Sequence, residues 1–301
     1  MAKTNISAIV MTYNEEINLE PCLRSLVDWV DDIILVDSFS IDNTVAIARL
    51  YTDRIYQHHY EGPPQQWSWA IANTGLEHPW LLTMDADFRI TPTLRQSIMD
   101  VVAQDSKDVD AYLVRRLQYF RGQPLRYGGL YPRREIRLVR HAVCQANDKE
   151  GVDQLFYVPG DVGELKGDLI EVNLKEDNIS FWIQKHDRFS DQQAQQEHNR
   201  QKLGLRPLYR PTPFGNPIQR KLWLKERWYD LPLYLRPLLY FLYRYVLRLG
   251  FLDGKQGFVY HFLQAYWYRL IVDIKLEELH QEKQLPLEQE ESTNVRAHSR
   301  Y

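Results

Sequence analysis

The chain of 301 residues is poor in cysteine. It has two, Cys22 and Cys144, far apart and in no CxxC or Cys/His cluster. That argues against a disulfide framework and a structural zinc site, and it suits a reducing cytosol. No Gly-x-Gly-x-x-Gly follows the first apolar run, which argues against a dinucleotide cofactor. No Walker-type loop occurs either: Gly250-Phe-Leu-Asp-Gly254-Lys255-Gln256 is one residue short and lacks the Ser or Thr. The N-terminus enters a strand-like run without the apolar region of a signal peptide. No internal repeat is visible. The longest apolar stretch, Leu231 to Arg248, is interrupted by Pro232, Arg236, Pro237 and Arg244, which makes a membrane span improbable.

What the chain does have is enough apolar content, 44 %, for a sizeable core. Its net charge of −3 hides an uneven distribution. Between Arg200 and Lys275 stand 14 Lys/Arg against 4 Asp/Glu, a basic surplus in a stretch also rich in Trp, Tyr and Phe. Arg beside aromatics is the composition of a helical region lying at an anionic membrane surface, although a helical cap with its basic residues in water is an equally good reading.

The amino-terminal part alternates apolar runs with helical periodicity. Ile6 to Met11, Ile33 to Val36 and Trp80 to Met84 read as buried strands, with a weaker one at Arg54 to His58. Helices are expected after each: Leu19 to Trp29, Val45 to Tyr51, Trp67 to Leu76, and about Thr93 to Ala103. This βαβαβαβα order predicts an α/β fold on a mostly parallel sheet with right-handed crossovers. Beyond Asp110 further strands are expected at 111–117, 135–140 and 160–165, then a polar helix through Lys202 and a proline-marked linker. We therefore expect a catalytic domain over residues 1–205, an amphipathic helical region over 206–280, and a disordered tail over 281–301.

The strand ends carry the chemistry. Asn14 and Glu15 follow the first strand, Asp37 the second, and Asp85-Ala86-Asp87 the fourth. Ligands of parallel α/β sheets gather at the carboxyl ends of strands. Two like charges at i and i+2 need a cation between them, and Mg²⁺ takes one or two carboxylates while completing its shell from substrate phosphates. The plainer reading is that Asp85 or Asp87 only caps the helix near Thr91-Pro92. A nucleotide diphosphate would use acceptors for base and ribose together with a metal; Asp37, Glu15 and the Asp85/Asp87 pair could supply these. Arg133, Arg134, Arg137 and Arg140 could reach a diphosphate, although Arg137 and Arg140 read better as one strand's polar face. His58-His59 reads as a solvent-facing pair. A nucleic-acid partner is not supported, since no binding module is recognisable.

Taken jointly, Ser7 to Glu15 with its Thr12-Tyr13-Asn14-Glu15 ending, Asp37-Ser38-Phe39-Ser40-Ile41-Asp42-Asn43-Thr44, and Asp85-Ala86-Asp87 resemble the family 2 glycosyltransferases of GT-A fold. The resemblance covers about Ile6 to Lys202 and is greatest to the bacterial lipopolysaccharide-core and exopolysaccharide branch. Gln66-Trp67-Ser68-Trp69-Ala70 and Trp182 to Ser190 are similar to stretches of that branch. The resemblance implies a nucleotide-sugar donor, UDP favoured; Mg²⁺ or Mn²⁺; and inversion at the anomeric carbon. The basic, aromatic C-terminal stretch would in turn bring the catalytic domain to the inner membrane face, where a saccharide or lipid-linked saccharide acceptor is expected. By the resemblance, Thr12, Tyr13, Glu15, Asp37, Gln66 and Asp85 would hold the nucleotide, and Asp87 with Asp85 the metal. Phe88 stands where family members carry Glu. Inversion needs one general base. Gly151-Val152-Asp153-Gln154-Leu155 matches a Val-Asp-Glu-His-like segment only at its acid, so Asp153 is the expected base and Glu150 its competitor. Both could equally be exposed turn residues. A nucleotidyltransferase, or a non-catalytic membrane-associated binding protein, could use the same fold.

Overall fold

A computed structural model describes residues 4–146, 156–203, 211–214 and 217–281. The described residues fall into two compact units, Met1–Ile179 with Leu247–Phe258, and Ser180–Val246 with Val259–Tyr301. The long polar helix thus groups with the C-terminal helices, earlier than the expected boundary after residue 205. Apart from Gln281, the expected tail lies outside the described residues.

The first unit is built on β1 (Ile6–Thr12), α1 (Leu19–Arg24), β2 (Asp32–Asp37), α2 (Thr44–Ala48), β3 (Ile55–Gln57), α3 (Pro63–Asn73) and β4 (Trp80–Asp85). β1 pairs in parallel with β2 and with β4, and β3 joins β2 in parallel. After β4 come β5 (Phe88–Ile90), α4 (Pro92–Gln104), β6 (Val109–Phe120), β7 (Gln123–Pro124), β8 (Arg133–Arg140), β9 (Gln145–Ala146), β10 (Phe156–Tyr157) and β11 (Asp161–Val172). The main sheet runs β3-β2-β1-β4-β8-β6-β11-β5. β8 is antiparallel to both β4 and β6, and β11 is parallel to β6. The expected parallel α/β sheet is therefore the amino-terminal half of a mixed one.

Side-chain alternation sends Ala8, Val10, Leu82 and Met84 to one face, against Leu19 and Leu23 of α1 and Leu94 and Ile98 of α4. Ile9, Ile34, Val36 and Leu81 face the other way, against Trp67 and Ala70 of α3. Strands covered on both sides are apolar almost throughout, which is why β1, β2 and β4 read so clearly. α3 begins at Pro63, four residues before the sequence reading, because Pro63-Pro64 occupies the first turn, where a missing N–H leaves no helix bond unmade. β11 runs 12 residues rather than forming a short strand. Of its two register shifts against β6, the one between Glu164 and Asp168 spans Gly167, whose φ is +90° and where a Cβ would lie 2.4 Å from the Leu94 amide nitrogen.

The second unit contains α5 (Ile179–Leu203), α6 (Pro217–Asp230) and α7 (Leu235–Leu242), then, after the α8 segment (Gly254–His261) that crosses the division, α9 (Tyr268–Gln281). Among the described residues no helix is long and apolar enough to cross a membrane. Helix α7 is inverted in its burial: Arg236 is 1 % exposed, while Leu235, Leu238, Leu239 and Leu242 are exposed. Arg236 donates from Nη1 to Glu197 Oε1 at 2.6 Å and from Nε to Asp273 Oδ1 at 2.7 Å, which supplies the pairing a buried charge requires.

Candidate functional site

Register assembles the site. Thr12 lies opposite Asp37, and Met11 opposite Asp85, so the carboxyl ends of β1, β2 and β4 share one edge of the sheet. Asp37 is fully buried. Its carboxylate accepts from Thr12 Oγ1 at 3.1 Å, from the Ser40 amide at 2.9 Å and from Gln57 Nε2 at 3.3 Å, with the Ser40 hydroxyl closer still. Asp37 thus ties β1 and β3 to the loop after β2. Thr12 is buried with it, whereas Tyr13 stands exposed.

At Asn14 the chain bends through φ 52°, a left-handed conformation that Asn tolerates well. The bend is held by the Asn14 amide on Ser40 Oγ, 2.8 Å, and the Ile41 amide on Asn14 Oδ1, 2.8 Å. It delivers Glu15, whose amide donates to Thr44 Oγ1 at 2.7 Å and whose Oε2 accepts from Asn18 Nδ2 at 2.7 Å. The other oxygen, Oε1, pairs with Lys175. Gln66 is buried on α3; its Nε2 donates to Ser38 Oγ at 3.2 Å, and its Oε1 lies 2.9 Å from His58 Nδ1. His58 also stacks on Trp69, so it is a positioning element rather than half of a solvent-facing pair.

Asp85 ends β4 with its side chain 42 % exposed and one oxygen 3.2 Å from Arg137 Nη1. Asp87 Oδ2 accepts from Asn173 Nδ2 at 3.1 Å, and its carbonyl accepts from the Val172 amide at 2.9 Å. The cap of α4 is Thr91, whose hydroxyl accepts from the Leu94 amide, so capping does not account for the two acids. The turn after β11 closes over this edge. Asn173 Oδ1 accepts from Asn18 Nδ2 at 3.2 Å across 155 residues, and Lys175 Nζ donates to the Asn14 carbonyl at 3.0 Å. Beneath lies Cys22, its thiol pushed well above the ordinary range by burial and then by Asp87 and Asp85.

Arg137 corrects the sequence reading. Arg137 and Arg140 are three residues apart on β8, an odd spacing that puts them on opposite faces. Arg137 is 7 % exposed and sits under the site, whereas Arg140 covers the Trp80 ring and pairs with Asp105. Glu135, which Arg137 grips at 2.8 Å, is buried at cost to its charge, yet Arg137, Arg116 and Arg133 outweigh that and hold its carboxyl below the usual range. Period-two alternation in Arg133-x-Glu135-x-Arg137 was a readable sign of one shared face. Asn18, Asn173 and Lys175 had no such local sign.

Asp85, Asp87, Glu15, Asp37, Thr12 and Gln66 are therefore brought to one edge. Asp153 and Glu150 lie outside the described residues. Among the described residues no three His, Cys, Asp or Glu side chains group into a metal cage. The donors at the Asp85-Ala86-Asp87 turn are carboxylate oxygens, one of them partly open to solvent, which fits a hard dication such as Mg²⁺ or Mn²⁺ that would complete its shell from phosphate and water.

Residues 7–143 match the family model described as glycosyl transferase family 2. The chain is 28 % identical over 269 residues to the lipopolysaccharide core biosynthesis glycosyltransferase LpsC of Rhizobium meliloti, covering 87 % of this chain and 91 % of that one. It is 32 % identical over 103 residues to an uncharacterized glycosyltransferase of Rickettsia bellii, 34 % of each chain. Among solved structures it is similar to glucosyl-3-phosphoglycerate synthase from Mycobacterium tuberculosis in complex with Mn²⁺, UDP and glucosyl-3-phosphoglycerate. That likeness has a TM-score of 0.31 at 19 % identity, over 39 % of this chain and 44 % of that one.

Proposed function

We propose, for a chain that belongs to glycosyl transferase family 2, an inverting transfer of a sugar from a nucleoside-diphosphate donor, UDP-linked by preference, to a saccharide of the cell-envelope core. The observation that carries this reading is the shared edge of β1, β2 and β4, where strand register brings the ends of β2 and β4, at Asp37 and Asp85, beside the end of β1, and the loop that follows β1 supplies Glu15. Thr12, Tyr13, Glu15, Asp37, Gln66 and Asp85 form the nucleotide side of the site in this reading. Asp85 and Asp87 would hold Mg²⁺ or Mn²⁺, which when bound offsets the charge of the departing diphosphate. The chain's own residues do the rest. The Asp37 carboxylate keeps the loop after β2 folded back on Thr12, so that the base has a rigid wall. Lys175 and Asn173 hold the β1 loop and Asp87 in fixed relation. A carboxylate takes the acceptor hydroxyl proton as the sugar moves, and Asp153 is the residue we assign, with Glu150 its rival.

The acceptor class rests on the likeness to LpsC. A place at an anionic membrane rests on the basic, aromatic stretch 200–275 and on α7, which buries an arginine and turns leucines outward. The test is release of UDP from UDP-sugars by the full chain with Mn²⁺ and a truncated core saccharide. Turnover is expected, with a loss of roughly 10²- to 10⁴-fold in Asp153→Asn and little loss in Glu150→Gln. No turnover with any nucleotide sugar would overturn the reaction; full turnover in Asp153→Asn would overturn only the base.

A further inference from the structure

Arg137 is fixed where a cation has an unusual effect. Its Nε and Nη2 lie 3.3 and 2.8 Å from Glu135 Oε2, and its guanidinium lies over the Phe88 ring at 4.5 Å. Phe88 is itself buried, so the guanidinium is held on one side by a carboxylate and on another by an aromatic face. Glu135 does not spend its whole charge on Arg137, because Arg133 pairs with it at 2.7 Å and Arg116 at 3.4 Å. The remaining nitrogen, Nη1, is buried and makes no hydrogen bond. It forms an ion pair with an Asp85 oxygen at 3.2 Å, without hydrogen-bond alignment. A guanidinium caged this way cannot swing out when a ligand arrives.

We propose that Arg137 couples metal binding to nucleotide binding: it offsets the Asp85 charge in advance, so that a divalent cation is held firmly only when a diphosphate arrives with it. This rests on the reading of Asp85 and Asp87 as the metal carboxylates. A bare dication approaching Asp85 meets a carboxylate already paired and a fixed positive charge behind it, so it gains little. A diphosphate reverses the balance, because its oxygens attract both the cation and the guanidinium. Arg137 is thus a positioning residue, acting through Asp85 rather than on the transferred sugar. The presence of Phe88 belongs to the same device, since an acid at that position would absorb the guanidinium charge that the coupling needs.

The test is calorimetric titration of the full chain with Mn²⁺ alone, UDP alone, and each in the presence of the other, which defines a reciprocal coupling factor between the two. In the unchanged chain Mn²⁺ alone binds weakly and UDP strengthens it. In Arg137→Gln, Mn²⁺ alone binds about tenfold more tightly, UDP with Mn²⁺ binds more weakly, and the coupling factor falls by at least about tenfold. Arg137→Lys keeps the charge and retains most of the coupling, which a purely structural role would not produce. A coupling factor unchanged in Arg137→Gln, or lost equally in Arg137→Lys, overturns the proposal. If Arg137→Gln does not fold, as judged by circular dichroism, the Arg137→Lys result decides alone. Absence of any joint UDP and Mn²⁺ binding in the unchanged chain would instead refute the underlying metal-site reading.

Discussion

His261 shows how one side chain can tax a fold. It is fully buried, both ring nitrogens lack hydrogen-bond partners, and its neighbours include Arg244, Tyr245 and Tyr260. Burial first, and Arg244 second, push its pKa from 6.5 down to about 4. The unfolded chain therefore binds a proton near pH 6.5 that the folded chain refuses until about 4. Stability should be unaffected by this group above pH 7, fall as pH drops through that window, and level off below it. The loss is of the order of 3 kcal/mol. His261→Phe keeps the ring and removes the unpaired nitrogens. Urea unfolding should show it more stable than the unchanged chain at pH 5, by a wider margin than at pH 8; equal margins would rule out this assignment. Residue identity alone concealed this, since an isolated histidine in an aromatic helix has no sign of burial. The acids of the site were different. A parallel strand covered on both faces is a run of apolar residues, and the first charge after it marks its end, so Asp37 and Asp85 were legible without coordinates.

At the scale of elements, legibility declined with sequence separation. The parallel half of the sheet followed from alternation of strand and helix, but β5 is three residues long and had no pattern of its own. Asn173 and Lys175 reach the β1 loop across the whole domain, and no local periodicity encodes such a meeting. The same holds for the segment Leu247–Phe258, which returns to the first unit. Its anchor is Asp253, buried, with its carboxylate accepting from the Arg126 amide at 3.0 Å and the Tyr127 amide at 2.9 Å. The Gly250-to-Gln256 stretch is therefore a docking turn for the loop after β7, in keeping with its poor match to a phosphate-binding loop. Asp253→Ala should leave the Arg126 and Tyr127 amides without their carboxylate partner and cost about 1–3 kcal/mol. Thermal unfolding would register this as a drop of several degrees, and a change within error would mean that the turn contributes nothing.

For the whole molecule, the composition of residues 200–275 foretold an unusual surface but not which side chains form it. The structure resolves that: α7 turns Arg236 inward to Glu197 and Asp273 and leaves Leu235, Leu238, Leu239 and Leu242 outside. Exposed leucines beside a basic, aromatic stretch fit the interface of an anionic bilayer. The full chain should float with vesicles containing anionic lipid, and replacing those four leucines by serine should reduce the floated fraction at least about fivefold without loss of UDP binding. Undiminished flotation would remove α7 from the membrane-binding surface.

Everything in the proposed reaction depends on Asp85 and Asp87 holding a diphosphate through a cation. The direct measurement is the thermal unfolding midpoint of the full chain with UDP, with Mn²⁺ and with both, in the unchanged chain and in Asp87→Ala. A ligand at a hundred times its dissociation constant stabilises the folded state by about 2.7 kcal/mol. We predict a rise of several degrees in the unchanged chain when UDP and Mn²⁺ are present together, and none in Asp87→Ala. An equal rise in Asp87→Ala, or a rise with UDP that Mn²⁺ does not increase, would contradict the metal role of the two carboxylates.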